Sequence, residues 1–239
     1  MIQSRIAARF PAALLALAPL LAAPAAATGA EPERVERIVV TATGRPSDLR
    51  TVPQLATVVT AADIRDRAAR TTPEALQEEV GILVQETNLG GGSPFVRGQT
   101  GNRVLVLVDG VRLNNSTFRF GPNQYLNTID PFTIERMEVV RGPASVLHGS
   151  DALGGVINVI TRRRHDFGEE LDLDAAATTR FGSAAFEKTV NAGGSASRGA
   201  LGITGGVTFR DFDDLRSGVA TQPDTGYDEL AGDLRLQYR

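Results

Sequence analysis

The chain has 239 residues, with 25 basic and 28 acidic side chains, a formal net charge of −3 and no cysteine. A slightly acidic chain is a poor candidate for binding nucleic acid, and without thiols it builds no disulfide framework.

Residues 1–27 are predicted to be a secretory signal peptide. Arg5 and Arg9 precede an apolar stretch, and small residues follow it up to Ala27. This order is typical of export signals. The alternative is a membrane anchor, but Pro19 and Pro24 interrupt the stretch, which is shorter than the ~18–20 apolar residues that a spanning helix needs. We therefore expect an exported chain.

Residues 28–50 are rich in Glu, Arg, Pro and Thr and are predicted to form an extended, mobile arm. Within this arm, "RIVVTATG" (37–44) is a run of β-branched residues without internal charge. A single strand is not stable alone in water, so this segment needs a partner. The breaks at Pro46 and Pro53 favour a detached strand, and the alternative is the first edge strand of the following domain.

Residues 51–161 are predicted to form a compact α+β domain with a mixed sheet and short helices. Strands are expected in "LATVVT", "GILVQET", "NRVLVLVDGVRL", "IERMEVVRG" and "GGVINVITRR", and helices in "AADIRDRAAR", "TTPEALQEE" and "PASVLHGS". Thr60 and Asp63 have the spacing of a capping box, and Thr72 before Pro73 predicts a second helix start. The unbroken apolar runs predict a sheet that is covered on both faces.

From residue 170 onward, apolar residues recur at every second position. The alternation runs through 171–181, 199–211 and 230–238 and, more weakly, through 185–197. Segments of ~10 residues with one apolar and one polar face are typical of transmembrane β-strands, although an ordinary antiparallel sheet with one wet face has the same pattern. A tight connection at 197–199 and a long polar one at 212–228 favour the membrane alternative.

The glycine-rich stretches "NLGGGSPFVRG" and "RGPASVLHGSDALGG" lack the pattern of a phosphate-binding loop and are predicted to form tight turns. His148, Ser150 and Asp151 stand too close in sequence to converge as a catalytic triad, and His148 is expected to be packed and hydrogen-bonded. The sequence therefore predicts no catalytic residue, no metal ligand and no cofactor, and the chain is not expected to be an enzyme.

Three stretches taken together resemble the TonB-dependent outer-membrane receptors, the family of siderophore and haem receptors. They are "ERIVVTATG", "FVRGQTGNRVLVLVDGVRLNN" and "IDPFTIERMEVVRGPASVLHGSDALGGVINVITRR". The resemblance implies an α+β plug domain at 51–161, followed at 162–239 by the first four or so strands of an antiparallel, 22-stranded transmembrane β-barrel that is incomplete here. At ~10 residues per strand a full barrel needs ~220 strand residues. The chain is therefore expected to be a fragment of a receptor or a truncated product.

The resemblance also implies a TonB box within the arm, which TonB, energised by ExbB–ExbD, would pull. Physically this is strand addition, in which a free strand joins an exposed sheet edge. The expected TonB-binding residues are Ile38, Val39, Val40, Thr41, Ala42 and Thr43. Arg97 and Arg141 match family arginines that pair with acidic groups on the inner wall of the barrel, and the alternative for each is a surface arginine.

Plug loops that face the exterior, Gly90–Phe95 and Asn114–Tyr125, are expected near the substrate. The residues expected to contact it are Gly91, Ser93, Asn114, Asn115, Phe118, Arg119, Phe120, Gln124 and Tyr125. The stretch "GPNQYLNTIDP" resembles the haem-receptor branch, yet no His lies in these loops to ligate haem iron, and Tyr125 is the only Tyr of the plug. Haem and a ferric siderophore both remain open.

The sequence thus predicts a receptor and transporter for a small iron chelate or haem, in the outer membrane of a Gram-negative bacterium, contacting lipid through its barrel. The alternatives are a barrel-less periplasmic plug that binds TonB or ligand, and a non-functional truncated product.

Overall fold

The computed structural model describes residues 38–114, 120–183 and 185–239, and for Ile38 and Thr87 it describes the backbone alone. The predicted signal peptide and the predicted arm up to residue 37 lie outside the described residues.

The N-terminal part of the described chain is built on a five-stranded mixed sheet. Its elements are β1 (Ile38–Val39), β2 (Ser47–Asp48), β3 (Leu55–Thr60), α1 (Ala61–Asp66), β4 (Ile82–Asn88), β5 (Gly91–Val96), β6 (Val104–Val108), β7 (Val111–Arg112), β8 (Ile134–Arg141), α2 (Ser145–His148) and β9 (Gly155–Thr161). The sheet order is β3-β8-β9-β6-β7, in which β6 and β9 are parallel and the other pairs are antiparallel. The pairs β1-β2 and β4-β5 form separate two-stranded sheets.

Both faces of the five-stranded sheet are covered, as the unbroken apolar runs predict. Successive side chains of a strand point to opposite faces of the sheet, so Met137 and Val139 lie on one face and Val140 lies on the other. On one face, Met137, Val139 and Ile157 pack with α1, Leu76 and the β4-β5 hairpin. The other face, which we call the arm face, is formed by Val58, Leu105, Leu107, Val140 and Val156 and is covered by Val39, Ala42, Leu49, Val52 and Ala152.

The helices are shorter than the sequence predicts. The capping box at Thr60 and Asp63 is present, with the Asp63 carboxylate accepting from the Thr60 backbone N–H at 2.8 Å, but α1 ends at Asp66. The predicted helix at 71–79 is wrong: Glu74–Leu76 forms only a 3₁₀ turn. Instead of capping a helix, the Thr72 hydroxyl donates to the carbonyl of Ile129 at 2.5 Å. Further 3₁₀ turns lie at Gly101–Arg103, Tyr125–Thr128 and Pro131–Thr133.

Two of the predicted turn glycines have a geometric reason. Gly149 follows α2 with a φ of 76°, in the left-handed region that favours glycine. At Gly155 the limit is space, because a Cβ there would lie 2.4 Å from the carbonyl oxygen of Val140 on the neighbouring strand.

The C-terminal part is a four-stranded antiparallel sheet, which we call the wall sheet. It consists of β10 (Asp172–Gly182), β11 (Glu187–Arg198), β12 (Leu201–Phe212) and β13 (Tyr227–Tyr238), in that order. All four strands predicted from the alternation form. The apolar side chains of β12 are exposed (Leu201, Ile203, Val207 and Phe209), whereas Gly202, Thr208 and Arg210 on its other face are buried. No helix in the described ranges is long and apolar enough to cross a membrane.

Candidate functional site

Residues 38–43, the predicted TonB box, are docked on the arm face. Ile38 pairs with Asp48 and Val39 with Ser47, so the segment and the chain that follows it form a small hairpin. Val39 and Ala42 are buried against the sheet. The structure therefore differs from the predicted detached, mobile arm over residues 38–50, because the apolar side chains of this stretch supply one of the two layers that cover the sheet.

A buried carboxylate holds the segment in place. Glu138, with an exposed fraction of 0%, lies in the middle of β8 on the arm face. Its Oε2 atom accepts from the backbone N–H of Val40 at 2.9 Å, the backbone N–H of Thr41 at 2.8 Å and the Thr41 hydroxyl at 2.7 Å. Hydrogen bonds to a charged acceptor are the stronger kind, so this contact fixes both position and register.

Two further side chains complete the contact with Thr41. Asn158 Nδ2 donates to the Thr41 hydroxyl oxygen at 3.0 Å, and His148 Nε2 lies 2.7 Å from the Thr41 carbonyl oxygen. A carbonyl oxygen only accepts, so the geometry fits an imidazole with its proton on Nε2. The prediction of a packed, hydrogen-bonded His148 is confirmed. We call Glu138, His148 and Asn158 the Thr41 cradle; it satisfies every polar atom of Thr41.

Sequence reasoning missed Glu138 and Asn158, although a signal for them exists. Each interrupts an otherwise apolar run, "MEVV" in β8 and "INVI" in β9. The two residues are direct cross-strand partners, so their side chains stand together on the arm face. A polar residue at the centre of each of two apolar strands indicates a buried polar partner.

A turn beside the cradle links it to the wall sheet. Asn158 Oδ1 accepts from the N–H of Gly110, and the neighbouring Asp109 carboxylate accepts from the backbone and hydroxyl of Thr161. Arg235 of β13 forms an ion pair with Asp109. Burial alone would raise the pKa of Asp109, but the hydrogen bonds from Thr161 and the charge of Arg235 outweigh it and hold that pKa below its usual range.

Arginines of the wall sheet make the main polar contacts with the plug. Arg210, buried on β12, pairs with Asp130, which also accepts from the Thr208 hydroxyl. Arg180 on β10 donates to the carbonyls of Ala68 and Ala69 at 2.9 and 3.1 Å. Together with Arg235, these side chains tie three strands of the wall sheet to the plug.

The predicted plug arginines are placed differently. Arg141 is buried and contacts the Thr57 hydroxyl at 3.0 Å and Glu79 at 3.4 Å, both in the plug. Burial lowers the pKa of Arg141, and Glu79 opposes that shift. Arg97 is exposed, with a φ of 52°. In the part of the chain that the structure describes, neither pairs with an acidic group of the wall sheet. The ion pairs between the described wall sheet and the plug join Arg210 to Asp130 and Arg235 to Asp109.

The predicted substrate residues separate into three groups. Asn115, Phe118 and Arg119 lie outside the described residues. Gly91, Ser93 and Asn114 are buried. The Asn114 side chain accepts from Val106 N–H at 2.9 Å and donates to the Val104 carbonyl at 3.0 Å, and the Ser93 hydroxyl accepts from Asn123 N–H at 3.1 Å. These bonds within the plug argue against substrate contact by Ser93 and Asn114.

Phe120, Gln124 and Tyr125 remain as solvent-facing members of that set. Phe120 is 86% exposed and Tyr125 is 40% exposed, and Gln124 is also exposed. None of the three lines the cavity of about 320 Å³ that the wall sheet forms with residues 162–166 and with Phe132, Thr133 and Glu135 of the plug. Within the described ranges, no group of three His, Cys, Asp or Glu side chains is placed to hold a metal ion.

The fold and the docked segment define a plug domain joined to membrane-type β-strands, and comparisons with known proteins agree. Residues 48–156 match the family model of the TonB-dependent receptor plug domain. An iron-regulated outer membrane virulence protein of Vibrio cholerae is 39% identical over 135 residues, which are 54% of this chain and 20% of that protein. The vitamin B12 transporter BtuB of the same species is 32% identical over 216 residues, 89% of this chain and 32% of the transporter.

Solved structures show the same fold. The copper transporter OprC matches with a TM-score of 0.65 at 23% identity, over 77% of this chain and 28% of OprC. The siderophore receptor PiuA from Acinetobacter baumannii matches with a TM-score of 0.57 at 24% identity, over 83% of this chain and 26% of PiuA.

The chain belongs to the TonB-dependent receptors, and residues 48–156 are their plug domain. The predicted fold class is confirmed. The family consists of receptors and transporters rather than enzymes, so the chain is not an enzyme. It spans about a fifth to a third of the length of the curated relatives described here (20% and 32%).

Proposed function

We propose that the chain is part of an exported, energy-coupled receptor in the outer membrane of a Gram-negative bacterium, which imports a small iron-containing ligand, haem or a ferric siderophore. TonB, energised by ExbB–ExbD, would bind residues 38–43 and pull on them, while the exposed apolar face of the wall sheet meets lipid. The observation that carries the proposal is the docking of a strand-forming segment on the plug through a few hydrogen bonds and two buried apolar side chains.

The contacts that hold residues 38–43 on the plug are few enough for strand pairing with a partner to replace them. Residues 38–43 are rich in β-branched side chains, which suit strand addition to another sheet. Their anchoring involves hydrogen bonds centred on Thr41 and the burial of Val39, which contributes roughly 1.5–3 kcal/mol. Because Glu138 occupies the N–H groups of Val40 and Thr41, the segment has to leave the Thr41 cradle before those groups can pair with TonB.

Support for an iron-containing ligand comes from the iron-regulated relative and from the exposed aromatic residues. Phe120 and Tyr125 belong to the loop that we expect to face the exterior, both are exposed, and aromatic rings stack on flat ligands. Tyr125 also offers a phenol oxygen of the kind that ligates haem iron. The competing ligand class is a corrinoid, as in the vitamin B12 transporter.

The test is uptake by the receptor with Val40→Pro. Proline removes the N–H that strand pairing requires, so uptake should fall more than tenfold while ligand binding to whole cells stays unchanged. Val40→Ile retains the N–H and the β-branched shape and should support normal uptake. The assay is growth with haem, or with a ferric siderophore, as the sole iron source in a host that lacks its own receptors. Undiminished uptake by Val40→Pro would overturn the assignment of residues 38–43 to TonB.

A further inference from the structure

We propose that Glu138, supported by His148 and Asn158, is the positioning residue that keeps residues 38–43 docked and thereby sets the fraction of receptors whose TonB box is available. This inference rests on the proposed function, because it concerns the regulation of the same segment.

The first argument is the solvation of Glu138. A fully buried carboxylate is costly unless donors surround it. Glu138 Oε2 has three donors, all from Val40 and Thr41, and Oε1 accepts from Arg136 at 3.2 Å. Undocking removes all three donors from one oxygen at once. The carboxylate therefore favours the docked state more strongly than a neutral group of the same shape would.

The second argument is that the Thr41 cradle is anchored independently of the segment it holds. Asn158 Oδ1 accepts from Gly110 N–H at 3.2 Å, and Arg112 donates to the carbonyl of His148 at 2.7 Å. The Asn158 side chain and the backbone of His148 are thus held in the plug without the segment. A preformed site binds more tightly because less freedom is lost when the segment docks.

The third argument is register. Thr41 is flanked by Val40 and Ala42, which have no side-chain hydroxyl. The cradle uses the hydroxyl as a donor to Glu138 and as an acceptor from Asn158, so a slip of one residue in either direction loses both bonds. The Thr41 cradle therefore disfavours registers shifted by one residue, which would leave Glu138 and Asn158 without the hydroxyl.

The experiment measures release directly, in outer membranes from cells that lack TonB. The chain has no cysteine, so Val39→Cys places a single thiol of this chain at a position that is buried while the segment is docked. Its rate of maleimide labelling reports undocking. Glu138→Gln keeps the shape of the side chain but presents either an amide N–H donor or a neutral, weaker acceptor to the segment. It should raise the labelling rate about tenfold. Thr41→Val, which removes the hydroxyl alone, should raise it about threefold.

Two controls separate release from general loosening. Glu74→Gln changes a plug carboxylate that contacts Arg70 and neither the segment nor Arg136, so it should leave the rate unchanged. Thr51→Cys, at an exposed position, should label equally fast in every background. If Glu138→Gln does not assemble in the membrane, Thr41→Val decides the question.

The proposal is overturned if Thr41→Val and Glu138→Gln both label at the parent rate, or if Glu74→Gln raises the rate as much as Glu138→Gln does. If Glu138→Gln and Thr41→Val label at the parent rate while Val40→Pro loses uptake, the role of the Thr41 cradle is overturned and the proposed function stands. If Glu138→Gln and Thr41→Val label faster while Val40→Pro retains full uptake, the proposed function is overturned and the role of the Thr41 cradle stands.

Discussion

Two buried carboxylates of the plug, Glu138 and Asp130, have different kinds of hydrogen-bond donors. Glu138 accepts from backbone N–H groups and a hydroxyl of the docked segment. Asp130 accepts from a buried arginine of the wall sheet and from the Thr208 hydroxyl. The first contact joins the plug to a segment that we propose is released, and the second joins it to a sheet that stays.

The difference lies in what separation leaves behind. When residues 38–43 undock, water can reach Glu138 and the freed backbone groups, so the net cost is that of a few hydrogen bonds, about 1–3 kcal/mol each to a charged group. Separating Asp130 from Arg210 leaves two opposite charges buried without each other, and breaking such a pair costs about 3–5 kcal/mol. Neutral donors thus suit a reversible contact, and a buried ion pair suits a permanent one.

The largest expected effect comes from breaking the permanent contact. Arg210→Met leaves Asp130 buried without its cation and should lower the free energy of unfolding by about 3–5 kcal/mol. Thermal unfolding of the receptor in detergent measures it. The double variant Asp130→Asn with Arg210→Met should recover most of the loss, because the only carboxylate that then lacks its Arg210 partner is Glu229, which is partly exposed. No recovery would mean that packing, not charge, dominates this contact.

A smaller effect is expected at Asp109, where the ion pair with Arg235 is partly exposed. Asp109→Asn should cost about 0.5–1 kcal/mol at pH 7. The folded-state pKa of Asp109 lies below the ordinary 3.8, so its contribution is present above that pH and is lost as the pH falls through the lowered pKa. The difference in unfolding temperature between parent and variant should therefore shrink as the pH is lowered below 3.8 and be lost once the folded-state carboxyl is protonated. A difference that stayed constant with pH would contradict this origin.

The smallest effect is expected at the exposed pair of Lys188 and Asp211 on the wall sheet. Both side chains are exposed, 54% and 37%, at an Nζ–Oδ2 distance of 3.1 Å. Lys188→Met should leave the unfolding temperature unchanged in the same detergent assay, because solvent screens the pair. A cost near that of Arg210→Met would show that burial does not set the strength of the contacts around the wall sheet.

Much of the fold follows from local pattern. Strands such as Val104–Val108 and Leu201–Phe212 are fixed by unbroken or alternating apolar residues, and the Thr60–Asp63 capping box starts α1 as predicted. The helix predicted around Thr72 does not form, and the Thr72 hydroxyl instead donates to the carbonyl of Ile129, 57 residues away. Local propensity does not report a competitor that far along the chain.

The site was less predictable than the fold. The composition of residues 38–43 indicates a strand that needs a partner, and the sequence by itself determined that much. Only the tertiary structure decided which partner it has, because Glu138 and Asn158 lie about a hundred residues away and meet Thr41 when β8 and β9 pair. In the same way, alternation placed Arg180, Arg210 and Arg235 on the polar face of their strands. Which plug groups they contact was set by how the wall sheet packs on the plug, since a buried charge takes whichever partner the fold brings within reach.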